Sequence, residues 1–177
     1  RNTPVMMQGL TGAALVTAGA SHVAILRADG SVWSAGQNVI GQLGDGSLVQ
    51  APAPVQLSGL TSVARLAGGN RHSLALKTDG TVVAWGDNTG GQLGDGTYVS
   101  RGAPTPVSGL TGVSAIAAGL YFSAALKADG TVWTWGDNFN GELGNGTFTA
   151  RATAGQVPGL TGVVAIAAGY YHAVALK

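Results

Sequence analysis

Gly69-Asn70-Arg71-His72-Ser73-Leu74-Ala75-Leu76-Lys77-Thr78-Asp79-Gly80-Thr81-Val82-Val83-Ala84-Trp85-Gly86 is the stretch that decides the fold of this chain. Short apolar runs lie on either side of Asp79-Gly80, a pair that accepts the positive φ of a tight hairpin turn. In the sister copy, His22, Ala24 and Leu26 fall on one face and Val23, Ile25 and Arg27 on the other, which is the two-residue period of a strand. The copies are spaced by 50 residues: Gly9-Leu10-Thr11 returns at Gly59, Gly109 and Gly159, and Asp29-Gly30 returns at Asp79 and Asp129. No insertion breaks the period. A rigid repeat of this length is one supersecondary unit that buries its apolar faces against its neighbours.

Working outward from the hairpin, Val113 to Ala118 reads as a first strand whose small side chains suit a crowded inner position. Phe122 to Lys127 reads as the second strand and Thr131 to Trp135 as the third. A glycine-rich loop, Gly41 to Gly46 in one copy and Gly91 to Gly96 in the next, leads to a fourth extended piece at Pro52 to Leu57 or Pro104 to Val107. Proline confines that piece to a sheet edge. Four antiparallel strands per period without a helix signal make an all-β chain, a β-propeller built of four-stranded blades. About three and a half repeats are present in a single arc over residues 1–177, at about 1–50, 51–100, 101–150 and a partial 151–177. Thr3-Pro4-Val5 reads as a further strand of the fourth type. The part-blades at the two ends imply an arc of a larger propeller, or ends that associate with each other or with a second chain.

Composition narrows the function. Glycine accounts for 30 of 177 residues, and only 10% are charged while 45% are hydrophobic. Such a chain can bury a core, so disorder is excluded. A net charge of +1 leaves no electrostatic footprint for nucleic acid or an anionic membrane. Without cysteine there is no disulfide, thiolate metal site or Cys nucleophile. Gly159 to Leu176 has no Asp, Glu, Lys or Arg and mimics a membrane span, but its copy Gly59 to Leu76 carries Arg65, Arg71 and His72, so both read as strand pairs. Arg65 itself is either a solvated channel residue or a ligand contact in the central channel.

The chemistry-bearing residues are spread by the repeat. Gly91 to Thr97 lacks the lysine of a phosphate-binding loop. Asp87, Asn88 and Asp95 offer oxygens for calcium, but the period is wrong for a calcium repeat or an EF-hand, and Asx residues with glycine make turns. His22, His72 and His172 are equivalent positions in different repeats, and Phe122 at the fourth position shows that packing suffices there; they are expected to pack between blades with ring nitrogens bonded to loop backbone. No metal, no cofactor and no enzymatic activity are expected. What varies inside the constant frame is the turn between the first and second strands: Ala20-Ser21, Asn70-Arg71, Leu120-Tyr121 and Tyr170-Tyr171. Aromatics and arginine are enriched at binding hot spots, so Asn70, Arg71, Leu120, Tyr121, Phe122, Tyr170 and Tyr171 are the candidate partner-binding residues, with ordinary turn variation as the competing reading. A second variable set, Leu48, Tyr98 and Phe148 with Arg101 and Arg151, reads as packing of the long loop.

The pattern Gly69-x-x-His72-Ser73-Leu74-Ala75-Leu76, Asp79-Gly80-Thr81-Val82, and Trp85-Gly86-x-Asn88-x-x-Gly91-Gln92-Leu93-Gly94-Asp95-Gly96 closely resembles the repeat of the regulator of chromosome condensation family, over essentially the whole chain. Phe122, Val83, Ala35, Glu142 and Asn145 depart from it singly. The resemblance implies a propeller that usually closes seven blades, and a family of nucleotide-exchange factors for a small GTPase, propeller inhibitors of β-lactamases and repeat scaffolds. The expected function is therefore a non-catalytic scaffold recognising a protein partner through turns on one face. A nucleotide-exchange regulator and a surface-assembly protein are the alternatives. The Ala/Gly/Thr-rich repeats look bacterial and point to a secreted or cell-surface setting.

Overall fold

The computed structural model describes Thr3 and residues 6–177; Pro4 and Val5, and with them the strand expected at Thr3-Pro4-Val5, lie outside the described residues. The hairpin forms as its residues dictate. Asp79 Oδ1 accepts the Thr81 amide at 3.0 Å and the Thr81 hydroxyl at 2.6 Å, while Gly80 takes φ 78°. Asp29-Gly30-Ser31 and Asp129-Gly130-Thr131 repeat the arrangement. The carboxylate locks the turn that reverses the chain.

Three sheets of four antiparallel strands result, each in sequence order. The first contains β1 (Ala13–Ala18), β2 (His22–Arg27), β3 (Val32–Gly36) and β4 (Ala51–Gln56). The second contains β5 (Val63–Gly68), β6 (His72–Lys77), β7 (Val82–Gly86) and β8 (Arg101–Pro106), and the third β9 (Val113–Ala118), β10 (Phe122–Lys127), β11 (Val132–Gly136) and β12 (Arg151–Gln156). A two-stranded sheet follows, β13 (Ala165–Ala168) and β14 (Ala173–Leu176), so the charge-poor stretch from Gly159 is a hairpin. No helix long and apolar enough to cross a membrane occurs among the described residues. The outermost strands begin earlier than the prolines suggest, because after a register shift Gly86 pairs with Arg101. Pro104 and Pro106 sit in β8, whose outer edge asks for no amide donor.

The innermost strands β1, β5, β9 and β13 lie side by side in that order, and Arg65 on β5 is exposed, its guanidinium donating to the adjacent Ala64 carbonyl. The core lies between sheets. Trp85 packs with Ala24, Leu26, Val32 and Leu57 of the preceding sheet and its connection, and Trp135 packs likewise with Leu74, Val82 and Leu93. Because the second and third sheets each have a neighbour on both sides, β6 and β10 are buried along nearly their whole length.

Candidate functional site

Each turn between a first and a second strand starts at a glycine for a steric reason. A Cβ on Gly69 would fall on the His72 ring, and one on Gly119 would fall inside the Phe122 ring. The turns then bond to one another across the sheets. The Ala20 amide donates to Asn70 O at 3.0 Å, the Asn70 amide to Gly119 O at 3.2 Å, and the Leu120 amide to Tyr170 O at 2.9 Å. Together they rim a depression of about 350 Å³ floored by Ala and Gly backbone.

Of the seven candidate residues the structure joins the side chains of three. Asn70 Nδ2 donates to Tyr170 Oη at 2.9 Å, although the two are 100 residues apart, and the Tyr170 and Tyr171 rings meet edge to face with centroids 5.5 Å apart. Arg71 is exposed beside them in sequence and Tyr121 is half-buried. Leu120 and Phe122 are corrections: they are 7% and 1% exposed. Phe122 is the first residue of β10, the inward position that histidine holds in the other copies, and its ring is spent covering Gly119.

The long loops emerge at the same end. Antiparallel order puts them there, and the bonds from the Asp87 amide to Arg71 O and from the Asp137 amide to Tyr121 O tie each loop to its turn. Asn88 holds the second loop from inside: its Oδ1 accepts the Leu93 amide at 2.8 Å, and its Nδ2 donates to Asp95 Oδ1, Thr97 O and Val99 O. Asp95 accepts the Thr97 amide and hydroxyl and pairs with Arg101 at 2.8 Å. Burial raises its pKa, but these donors outweigh that and hold the carboxyl below its ordinary range. The Asx oxygens are thus committed to turns. No cluster of three or more His, Cys, Asp or Glu disposed to hold a metal ion occurs among the described residues.

The loop aromatics overturn the reading that they pack the loop. Tyr98 is 54% and Phe148 75% exposed, and Phe139, absent from the sequence-based candidates, is 80% exposed. The arginines do pack. Arg101 bonds Asp95, and where Asn145 replaces that carboxylate Arg151 turns instead to Thr134 O and Gly155 O. The signal for the aromatics was available, since Leu48, Tyr98 and Phe148 vary among constant neighbours as the turns do. Every exposed aromatic side chain among the described residues, Tyr98, Phe139, Phe148, Tyr170 and Tyr171, lies at this end. The opposite end carries the Asp-Gly turns with the pairs Arg27–Asp29 and Lys77–Asp79.

The histidines sit elsewhere. His22 and His72 are buried between sheets, and the expectation that they bond loop backbone is corrected: their Nε2 atoms meet the hydroxyls of Ser73 at 2.8 Å and Ser123 at 3.0 Å, one sheet further on. Burial lowers the pKa of His22 to about 4, and burial together with the charge of His22 lowers that of His72 to about 3. They are neutral structural groups. His172 is exposed.

Comparison with known proteins agrees with this geometry. The family model described as the regulator of chromosome condensation (RCC1) repeat matches residues 29–76, 79–126 and 129–176, and a second model of that repeat matches residues 14–42, 63–92 and 113–142. No curated protein matches the chain. Among solved structures, Prp20p of Saccharomyces cerevisiae, described with its binding properties to Gsp1p and histones, is similar with a TM-score of 0.83 and 22% identity over 94% of this chain. Yeast RCC1 (Prp20) bound by Kap60 gives 0.84 at 25% identity over 100% of the chain, and human WBSCR16 gives 0.69 at 23% over 97%. The chain spans 44% of each yeast chain and 59% of the human one.

Proposed function

Because the chain belongs to the regulator of chromosome condensation (RCC1) repeat family and forms a propeller arc of that kind, we propose that it is a non-catalytic scaffold recognising a protein partner through one end of its sheets. The observation that carries this reading is the gathering of all exposed aromatics at the end that holds the first turns and the long loops. Tyrosine and phenylalanine present large contact area at little rotamer entropy, and Arg71 adds a planar donor fork for a carboxylate. The face therefore extends beyond Asn70, Arg71, Tyr121, Tyr170 and Tyr171 to Tyr98, Phe139 and Phe148. Leu120 and Phe122 support it from below.

Nucleotide exchange is the second reading, favoured by one observation, the described binding of Prp20p to Gsp1p. The two separate experimentally. A captured partner should lose at least about tenfold in affinity with Tyr171→Ala or Phe148→Ala, since a hot-spot aromatic is worth ~2 kcal/mol or more. Thr78→Ser and Ala128→Ser, at the opposite end, should leave affinity intact. Equal losses from both ends would reject the face, and accelerated release of labelled nucleotide from a GTPase partner would select exchange.

A further inference from the structure

Val83 stands where the first and third sheets carry a tryptophan, and a groove lies beside it in the second. In the other two sheets the indole lies beneath a cation and bonds a hydroxyl. Trp33 has the Arg27 guanidinium 5.7 Å from its ring centroid and donates its N–H to Ser31 Oγ at 2.9 Å. Trp133 has Lys127 Nζ 5.2 Å from its centroid and donates to Thr131 Oγ1 at 3.2 Å.

The second sheet keeps both holding groups without the ring. Thr81 Oγ1 donates to Asp79 Oδ1 at 2.6 Å, as Thr131 Oγ1 does to Asp129, so its lone pairs offer the same acceptor. Lys77, with no indole to cover, pairs with Asp79 Oδ2 at 3.2 Å. The cross-strand neighbour has changed too: Trp33 and Trp133 face Gln56 and Gln156, whereas Val83 faces Pro106. The result is a groove of about 280 Å³ lined by Gly59, Leu60, Lys77, Val83, Pro104 and Pro106. The first and second sheets that bound it each have all four strands, and it lies at the end of the Asp-Gly turns, away from the exposed aromatics.

We propose that this groove binds a free small molecule built on an indole ring, which lies against Val83 and Pro106 beneath the Lys77 ammonium and donates its N–H to Thr81 Oγ1. Two sister sheets supply the template, each holding this ring with these two groups. A cation over the face of an indole is attracted by the ring quadrupole. Lys77 can take up the ring at little cost, because an exposed ion pair is worth little, and Arg27 covers Trp33 while still bonding Asp29. The occupant is a free molecule rather than a segment of a partner chain, because Pro104 and Pro106 withhold the amides with which an edge strand grips an extended peptide.

Indole itself is the probe, titrated into the isotopically labelled protein and followed by amide chemical shifts. Saturable binding at about 1 mM or tighter is expected, with shifts centred on Lys77, Thr81 and Val83. Benzofuran, which has the shape of indole without its N–H, should bind at least about threefold more weakly. Val83→Trp supplies the ring from within, as in the sister sheets, and should fold and abolish the shifts. Absence of saturation, equal binding of benzofuran, or binding that survives Val83→Trp would overturn the proposal. A blocked peptide with tryptophan between glycines that binds at least about tenfold more tightly than indole would assign the groove to a partner's side chain and overturn it. Self-association that indole competes away would assign it to a second copy and overturn it equally. The comparison of indole with benzofuran uses the unaltered chain, so it stands whether or not the variant folds.

Discussion

His72 Nε2 lies 3.0 Å from Ser123 Oγ across the boundary between the second and third sheets, and Ser123 Oγ in turn donates to Gln92 O at 2.8 Å. The hydroxyl proton is therefore spent, and the imidazole must be the donor, in the Nε2–H tautomer. Its Nδ1 is buried and unpartnered, as is that of His22. At the next boundary Phe122 replaces the histidine and Ala173 stands at the serine position, so both members of the polar pair have changed together.

Neutral buried histidines make stability pH-dependent. The unfolded chain protonates near pH 6.5, whereas His72 and His22 hold off until about 3 and about 4. Below pH 6.5 the unfolded state binds more protons, so stability is full above that value and falls on acidification, by about 1.4 kcal/mol per pH unit for each histidine. Urea midpoints between pH 7 and pH 4.5 should show the slope. His72→Phe with Ser123→Ala, which copies the Phe122–Ala173 combination, should fold and reduce the slope by about half, leaving the contribution of His22; an unchanged slope would remove His72 from the account.

Gly119→Ala should destabilise by about 1 to 3 kcal/mol, as overpacking does, because its Cβ would enter the Phe122 ring. The same substitution in a Phe122→Ala background should cost measurably less. Denaturant midpoints of the four chains give the coupling, and additive losses would mean that Gly119 is needed for another reason.

Asn88→Ala removes five hydrogen bonds from a fully buried side chain and leaves the Leu93 amide without its acceptor. A loss of about 1 to 3 kcal/mol is expected, together with faster amide exchange at Leu93. A chain as stable as the wild type would show that the loop keeps its shape without this residue.

Tyr98→Ser and Phe148→Ser should shift stability by no more than about 0.5 kcal/mol, the range for surface positions, whereas Leu76→Ala should cost ~2 to 5 kcal/mol. Thermal melts decide it. A large loss at Tyr98 would return that ring to loop packing.

Much of this protein was legible in the residues alone. The 50-residue period, the Asp-Gly turns and the alternation in β2 are local properties, each set by a few neighbouring residues and the φ that glycine permits, so the hairpins and the blade could be read directly. The purpose of Gly69-x-x-His72 could not be, because the ring covers its own glycine while its nitrogen seeks a serine 51 residues away. The candidate turns were found by their variability, but which of their side chains face solvent depends on packing between sheets. That packing buried Leu120 and Phe122, exposed Tyr98, Phe139 and Phe148, and joined Asn70 to Tyr170. Sequence determines what each repeat can bury, and only the stacking of repeats decides what remains outside.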